Sequence, residues 1–156
     1  MPKIDMDAVP LRTGSIYPEP YAAQMAGRSS LRLGDAGGLT QFGANLVILA
    51  PGARSSLRHW HRHEDEFVMV TEGELILVQD EGETLMRPGD CAAFPAGDPN
   101  GHQFLNRTDR EARFLVVGTR APREVATYSD VDLVVEVEAG KARFTYRDGT
   151  PFAGPR

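Results

Sequence analysis

The sequence has little cysteine, no long apolar run and no cluster of basic residues. Its one cysteine, Cys91, excludes a disulfide within the chain, and the apolar run 91–94 predicts that it is buried as a small hydrophobic residue. No apolar run approaches the length of about 18 residues that suggests a membrane span. Residues 1–10 lack the basic start and apolar core of a signal peptide. We therefore expect a cytoplasmic protein with no membrane partner.

Positive charge is not in excess either. The chain has 17 Lys and Arg against 22 Asp and Glu, which gives a formal net charge of -5 at pH 7. A nucleic-acid-binding surface needs a basic patch to neutralise phosphates, so this composition argues against a nucleic-acid partner. Charged residues at 25% and hydrophobic residues at 41% of 156 residues are ordinary for one globular domain.

The chain does contain many short apolar runs separated by turn residues. Glycine (16) and proline (11) are abundant, and helical periodicity is almost absent. This pattern predicts an all-β protein, either an antiparallel sandwich or a barrel. The predicted strands are 41–50, 55–61, 66–71, 74–79, 83–87, 91–94, 102–106, 113–119, 133–137 and 142–146.

The first 39 residues differ from the rest of the chain. Pro10, Pro18 and Pro20 interrupt a polar segment, which argues against a long helix there. We predict that residues 1–39 form an N-terminal arm that wraps over the outside of a barrel formed by residues 40–156.

Three of the four histidines lie in the stretch 52–73. His59 and His61 are one residue apart, so on a strand both rings face the same side. Glu66 follows four residues later at the head of an apolar run. Imidazole and carboxylate groups that converge from neighbouring strands suit Zn, Mn, Fe, Ni or Cu. An alternative triad of His61, His63 and Glu66 also exists in this stretch.

The fourth histidine, His102, begins a predicted strand after a glycine-rich loop. On a neighbouring barrel strand it would add a fourth ligand to His59, His61 and Glu66. Asn106 lies on the same strand face as His102, where it would support the site or cap a turn.

The two stretches resemble the paired motifs of the cupin superfamily. The first motif is matched by Gly52, His59, His61, Glu66 and Gly73. The second motif is matched by Gly89, Pro95, Gly97, His102 and Asn106. The first match has six residues instead of five after its first glycine. The second has four residues instead of two between Gly97 and His102, and Asn100 holds the usual histidine position. Either a lengthened loop delivers His102, or Asn100 takes its place.

The resemblance spans residues 40–120 and implies a double-stranded β-helix, or jelly-roll, barrel with a metal near its mouth. The ligands it implies here are His59, His61, Glu66 and His102, which would hold one divalent ion, Zn, Fe, Mn or Ni. It also implies a homodimer, because small cupins often dimerise through barrel faces and terminal strands.

The resemblance does not fix one reaction, because cupins include oxygenases, isomerases, lyases and sugar-binding modules. We expect an enzyme of the oxygenase or isomerase/lyase type that acts on a small polar molecule. The alternative is a non-catalytic protein that binds or senses a small molecule or sugar. A titratable cavity residue beyond the ligands would favour an enzyme, and the sequence identifies none, so the catalytic residues are unknown at this stage.

Overall fold

The computed structural model describes residues 3–156, and its regular structure is almost entirely β. One short helix, α1 (Leu33–Ala36), and two 3-10 turns, Met6–Ala8 and Ala22–Met25, interrupt the strands. The strands in this range are β1 (Leu11–Thr13), β2 (Arg28–Leu31), β3 (Phe42–Leu49), β4 (His59–His61), β5 (Glu66–Glu72), β6 (Leu75–Gln79), β7 (Gly82–Met86), β8 (Cys91–Phe94), β9 (Gln103–Leu105), β10 (Ala112–Thr119), β11 (Arg123–Tyr128), β12 (Val134–Glu138) and β13 (Lys141–Thr145). The predicted all-β class is confirmed.

The strands form three antiparallel sheets. The largest has the order β1-β2-β3-β10-β5-β8, the second β13-β12-β11-β4 and the third β7-β6-β9. In the first sheet β10 lies between β3 and β5, although it follows both in the chain. Sequence neighbours are therefore often not spatial neighbours, as expected when an antiparallel barrel is closed by long connections.

The main core lies between the first and third sheets. Val68 and Val70 of β5 are fully buried, whereas Phe67, just before them, is 41% exposed. This alternation follows from the two-residue repeat of a strand, which sends successive side chains to opposite faces. Val68 and Val70 pack in one apolar cluster with Leu75 and Phe104 of the third sheet. The inner face of β5 thus closes the barrel.

Several predicted strands differ from the structure. The predicted strand 55–61 is a strand only over His59–His61. At its predicted start, the backbone N–H of Ser55 donates instead to the carbonyl of Phe104 (2.9 Å). Cys91 is exposed rather than buried. It begins β8 on the outer face, whereas Phe94 of the same strand is directed into the core.

Strands β1, β2 and β11 were not predicted. In β11 the buried side chains are Glu124, Ala126 and Tyr128, and an acid on the buried face hides the apolar alternation. Strands β1 and β2 have too few apolar residues to show a period.

The N-terminal segment contributes to the main sheet. Strand β2 pairs with β3 along four residues, and Met25, just before it, is 2% exposed. The boundary at residue 39 between an arm and a barrel stays a prediction. None of the helices within residues 3–156 has the length and apolarity needed to cross a membrane.

Candidate metal centre

Backbone pairing brings the histidines together. Strand β4 lies beside β11, with His59 opposite Tyr128 and His61 opposite Ala126. His59 also forms a bridge with His102, in which each residue donates its backbone N–H to the other's carbonyl (2.9 and 3.2 Å). The strand repeat then places His59 and His61 on one face, because they are two residues apart.

Glu66 closes the group from the start of β5. Its Oε2 lies 3.1 Å from His102 Nε2 and 3.4 Å from His61 Nε2. His61 Nε2 in turn lies 3.1 Å from His59 Nε2. Metal–nitrogen bonds of about 2.0–2.1 Å that meet at right angles place two donors about 3 Å apart. The donor atoms of His59, His61 and Glu66 all lie within 4.8 Å of one another, which fits a single ion, and His102 meets this group through its contact with Glu66.

His59 has the tautomer that a metal ligand needs. Its Nδ1 lies 2.8 Å from the carbonyl oxygen of Leu57, and a carbonyl can only accept, so Nδ1 carries the proton. The lone pair of the neutral ring is then on Nε2, which faces the cluster. Burial, together with the charges of His102 and His61, lowers the pKa of His59 to about 3. The ring is therefore neutral at physiological pH.

Groups of opposite charge shift the pKa values of His61 and Glu66. Burial lowers the pKa of His61, but contacts with Glu124 and Glu66 outweigh it and raise the pKa to about 10. Burial raises the pKa of Glu66, but its hydrogen bonds with His102 and His61 outweigh burial and hold the pKa far below its usual range. Glu66 is thus ionised and supplies the negative charge of the donor set.

His102 is held rigidly by packing. It is 2% exposed, and its ring stacks on Phe94 with centroids 3.6 Å apart and planes 7° apart. Within residues 3–156 its Nδ1 has no hydrogen-bond partner, so the contact of its ring nitrogens with the cluster is through Nε2.

The two alternative ligands lie outside the cluster. The His63 side chain is 46% exposed, and the residue's backbone N–H donates to Glu124 (3.0 Å). Asn100 donates to the carboxylate of Glu81 (2.8 and 2.9 Å) and accepts from the backbone of Asp80 (3.0 Å). The structure thus brings together the four residues of the predicted ligand set, and metal binding by them stays a prediction.

Asn106 caps a turn. It is 1% exposed and donates to the carbonyls of Leu49 (2.9 Å) and Arg110 (2.7 Å). Its Oδ1 accepts from the backbone and hydroxyl of Thr108 (3.0 and 2.8 Å). Its polar atoms bond to the chain around it, so among the described contacts it has a structural role.

The motif glycines make turns that other residues disfavour. Gly52, Gly73, Gly89 and Gly97 have φ values of 78°, 72°, 93° and 82°. This backbone conformation is energetically unfavourable for residues that have a Cβ. At Gly97 this conformation lets the N–H donate to the carbonyl of His61 (2.8 Å). The glycine thereby ties the loop before His102 to β4.

The cluster lies in a cavity of about 860 Å³. Its walls include Tyr17, Arg28 and Ser30 from the first 39 residues, together with Tyr128 of β11. The sequence prediction missed these residues. The buried Glu124 hid the alternation of β11, and the polar β2 offered no apolar signal.

Two acids beside the ligands were also missed. Glu124 is 5% exposed, accepts the N–H of Arg62 (2.8 Å) and lies 3.8 Å from His61 Nδ1. Glu64 lines the cavity and accepts the N–H of Ala121 (2.8 Å). Burial raises the pKa of Glu64. Glu64 is therefore a titratable cavity group outside the four predicted ligands.

Comparison with known proteins gives a consistent result. The family model for the cupin domain matches residues 45–118. A crystal structure from Silicibacter pomeroyi, described as a sugar phosphate isomerase from a cupin superfamily, is 65% identical, covers 98% of both chains and has a TM-score of 0.96. A second, from Acidithiobacillus ferrooxidans and provisionally named a sugar phosphate isomerase, is 27% identical, covers 81% of both chains and has a TM-score of 0.74.

Polyketide synthase CurC of Streptomyces cyaneus is 38% identical over 78 residues, which is 50% of this chain and 49% of that protein. The chain thus matches about half of that relative's length, whereas the Silicibacter pomeroyi structure matches nearly end to end. The expected jelly-roll barrel is confirmed, and the chain belongs to the cupin superfamily.

Proposed function

We propose that the protein is a metal-dependent isomerase that acts on a sugar phosphate, with one divalent ion bound by His59, His61, Glu66 and His102. The observation that carries this proposal is the convergence of three imidazoles and one carboxylate in a cavity large enough for a small polar molecule. The substrate class is supported by the 65% identity to a protein described as a sugar phosphate isomerase.

The donor set suits this chemistry. In an aldose–ketose isomerisation, one hydrogen moves from one carbon to its neighbour while the carbonyl group moves in the opposite direction. No atom is gained or lost. A bound divalent ion supplies Lewis-acid polarisation of a substrate oxygen. The surrounding chain must then orient the sugar and provide groups that accept and donate protons.

Two cavity residues supply such groups. One oxygen of Glu64 is held by the N–H of Ala121, which leaves the other to accept a substrate proton. The phenol of Tyr17 packs against Tyr128 with ring centroids 5.4 Å apart, and burial raises its pKa. Tyr17 therefore stays a neutral O–H donor. These non-ligand groups favour an enzyme over the alternative of a non-catalytic binding protein.

The test is turnover by the metal-loaded protein. We expect it to interconvert an aldose phosphate and its ketose phosphate. The reaction can be followed by NMR with a panel of aldose and ketose phosphates. Chelator-treated protein and the His61→Ala variant should be inactive, because each lacks the ion. Tight metal binding with no interconversion of any sugar phosphate would contradict the isomerase and favour the binding protein. Oxygen uptake with an iron-loaded sample would instead favour an oxygenase.

A further inference from the structure

One arginine faces the cavity from the N-terminal segment. In β2, Arg28 and Ser30 are two residues apart, so their side chains share the inner face with Val47 of β3, which is opposite Ser30. Ser30 is 8% exposed and Val47 2% exposed. Both Arg28 and Ser30 line the same cavity as the candidate metal ligands.

Arg28 is a half-buried cation that forms no ion pair among the described residues. Its Nε is buried and has no hydrogen-bond partner within residues 3–156. The ion pairs found across this range do not include Arg28. Burial lowers its pKa, and the nearby charges that affect it come from Tyr17, Arg32 and Glu66. A buried charge is costly unless it is paired, so this guanidinium is a donor that a ligand would satisfy.

The other arginines of the cavity differ in this respect. Arg32 lies 3.8 Å from Asp35, and Arg120 bonds to the same carboxylate and to the carbonyl of Leu39. Their charge is therefore partly neutralised within the chain. Arg12 of β1 lies opposite Ser30 and also lines the cavity, close to its mouth because β1 is exposed.

We propose that Arg28 anchors an oxyanion subsite that takes the phosphate of the substrate, with Arg12 as a second contact. The planar guanidinium donates two parallel N–H bonds to an oxyanion, which suits phosphate or carboxylate. This inference deepens the proposed function and rests on it for the choice of phosphate. The sugar would then lie in the cavity that Arg28 lines together with the four predicted metal ligands.

The decisive experiment measures inorganic phosphate binding by calorimetry to chelator-treated protein, so that phosphate cannot bind an ion. The Arg28→Met variant should bind phosphate about 10 to 100 times more weakly than the wild type, because a charge-assisted pair of hydrogen bonds is lost. The matched control is Arg113→Met, which removes an exposed arginine of β10 that pairs with Glu111 outside the cavity (2.7 Å). It should bind phosphate as the wild type does.

Arg28→Lys keeps the charge and removes the planar fork. It should bind phosphate with an intermediate affinity, and it serves the same purpose if Arg28→Met does not fold, as judged by circular dichroism. Acetate titrated in parallel distinguishes the two oxyanions: phosphate binding much tighter than acetate supports a phosphate subsite, and the reverse order overturns it. Equal phosphate affinity in the wild type and both Arg28 variants would also overturn it.

The outcome is separable from that of the proposed function. Arg28-dependent phosphate binding without isomerisation of any sugar phosphate would preserve the subsite and contradict the isomerase. If the protein is an isomerase, Arg28→Met should raise KM for the sugar phosphate more than it lowers kcat, with the bound metal unchanged. An isomerase whose KM is unaffected in Arg28→Met would contradict the subsite alone.

Discussion

Individual side chains decide whether the cluster binds a metal. The His61→Ala variant should lose most of its bound metal, because it removes a donor that contacts both His59 and Glu66. The fold should survive, since the ring lies at the cavity wall. Elemental analysis together with circular dichroism checks both statements. His63→Ala is the matched control and should retain its metal, because that side chain is 46% exposed outside the cluster. If His63→Ala lacked metal while His61→Ala kept it fully, His61 would have been wrongly assigned as a ligand in place of His63.

Glu124 should act through His61. Its carboxylate lies 3.8 Å from Nδ1 of that ring, which has no hydrogen-bond partner within residues 3–156, and its negative charge helps to raise the pKa of the imidazole. Removal of such a supporting carboxylate costs about 10 to 100-fold in metal affinity, and we expect this loss in Glu124→Gln by competition with a chromogenic chelator. Glu138→Gln, at the exposed end of β12, provides the control. An unchanged affinity in Glu124→Gln would show that His61 is positioned without it.

Acidity should change metal binding and metal-free stability in opposite directions. The pKa of His61 is raised to about 10 without metal, so metal uptake must displace a proton, and affinity should rise by up to about tenfold per pH unit from pH 5 to 8. In chelator-treated protein the protonated ring forms its carboxylate contacts. That contribution is fully present below pH 6.5 and should be lost as pH rises toward 10.

The neighbouring His59 does not counter this second effect, because its pKa is lowered to about 3 and its ring is neutral above 6.5 in folded and unfolded chains alike. Thermal melts of chelator-treated protein between pH 6.5 and 10 would measure the loss. A metal affinity that does not change between pH 5 and 8 would contradict a site built on His61.

At the scale of elements, the sequence predicted the strands that are marked by a short apolar run and missed those that are not. Strand β8 was predicted with its observed bounds, Cys91–Phe94. The buried Glu124 hid β11, and the polar β2 gave no signal although it builds the cavity wall. The motif in the sequence made it possible to predict that His59 and His61 lie together. The position of Arg28 in the cavity could not be predicted, because it depends on tertiary contacts.

Strand β2 should matter more to stability than β1. A chain that begins at residue 40 loses β2 with the buried Tyr21 and Met25, which are 6% and 2% exposed. Burial of two such side chains contributes about 3–6 kcal/mol, comparable with a net stability of about 5–15 kcal/mol. We expect such a chain to be poorly folded. A chain that begins at residue 15 keeps Tyr17 and loses β1 and the turn Met6–Ala8, neither of which has a buried residue, and it should keep its fold and metal. Urea denaturation of the two shortened chains tests this prediction. Equal midpoints for the two chains would contradict it.

For the whole molecule, the outer face of the main sheet supports the predicted homodimer. Phe67 is 41% exposed. Val117 of β10 pairs with it, and the next pair on the same face is Leu115 with Met69. Contiguous apolar surface of this kind is typical of an interaction site. Phe67→Asp should shift the sedimentation coefficient from dimer to monomer. Leu85→Asp on β7, equally exposed at 41%, should not. A wild-type protein that sediments as a monomer at micromolar concentration would contradict the dimer.

The position of β10 between β3 and β5 has a consequence for how the chain is made. Translation delivers β3 and β5 well before the strand that joins them, so each has an unpaired edge while the nascent chain lengthens. Strand β4, which carries His59 and His61, also lacks its neighbour β11 until residue 128 has emerged. Unpaired apolar strands of this kind are prone to aggregate. The nascent protein should therefore be most prone to aggregation before β10 has emerged, and the predicted metal ligands can come together only after β11 has followed.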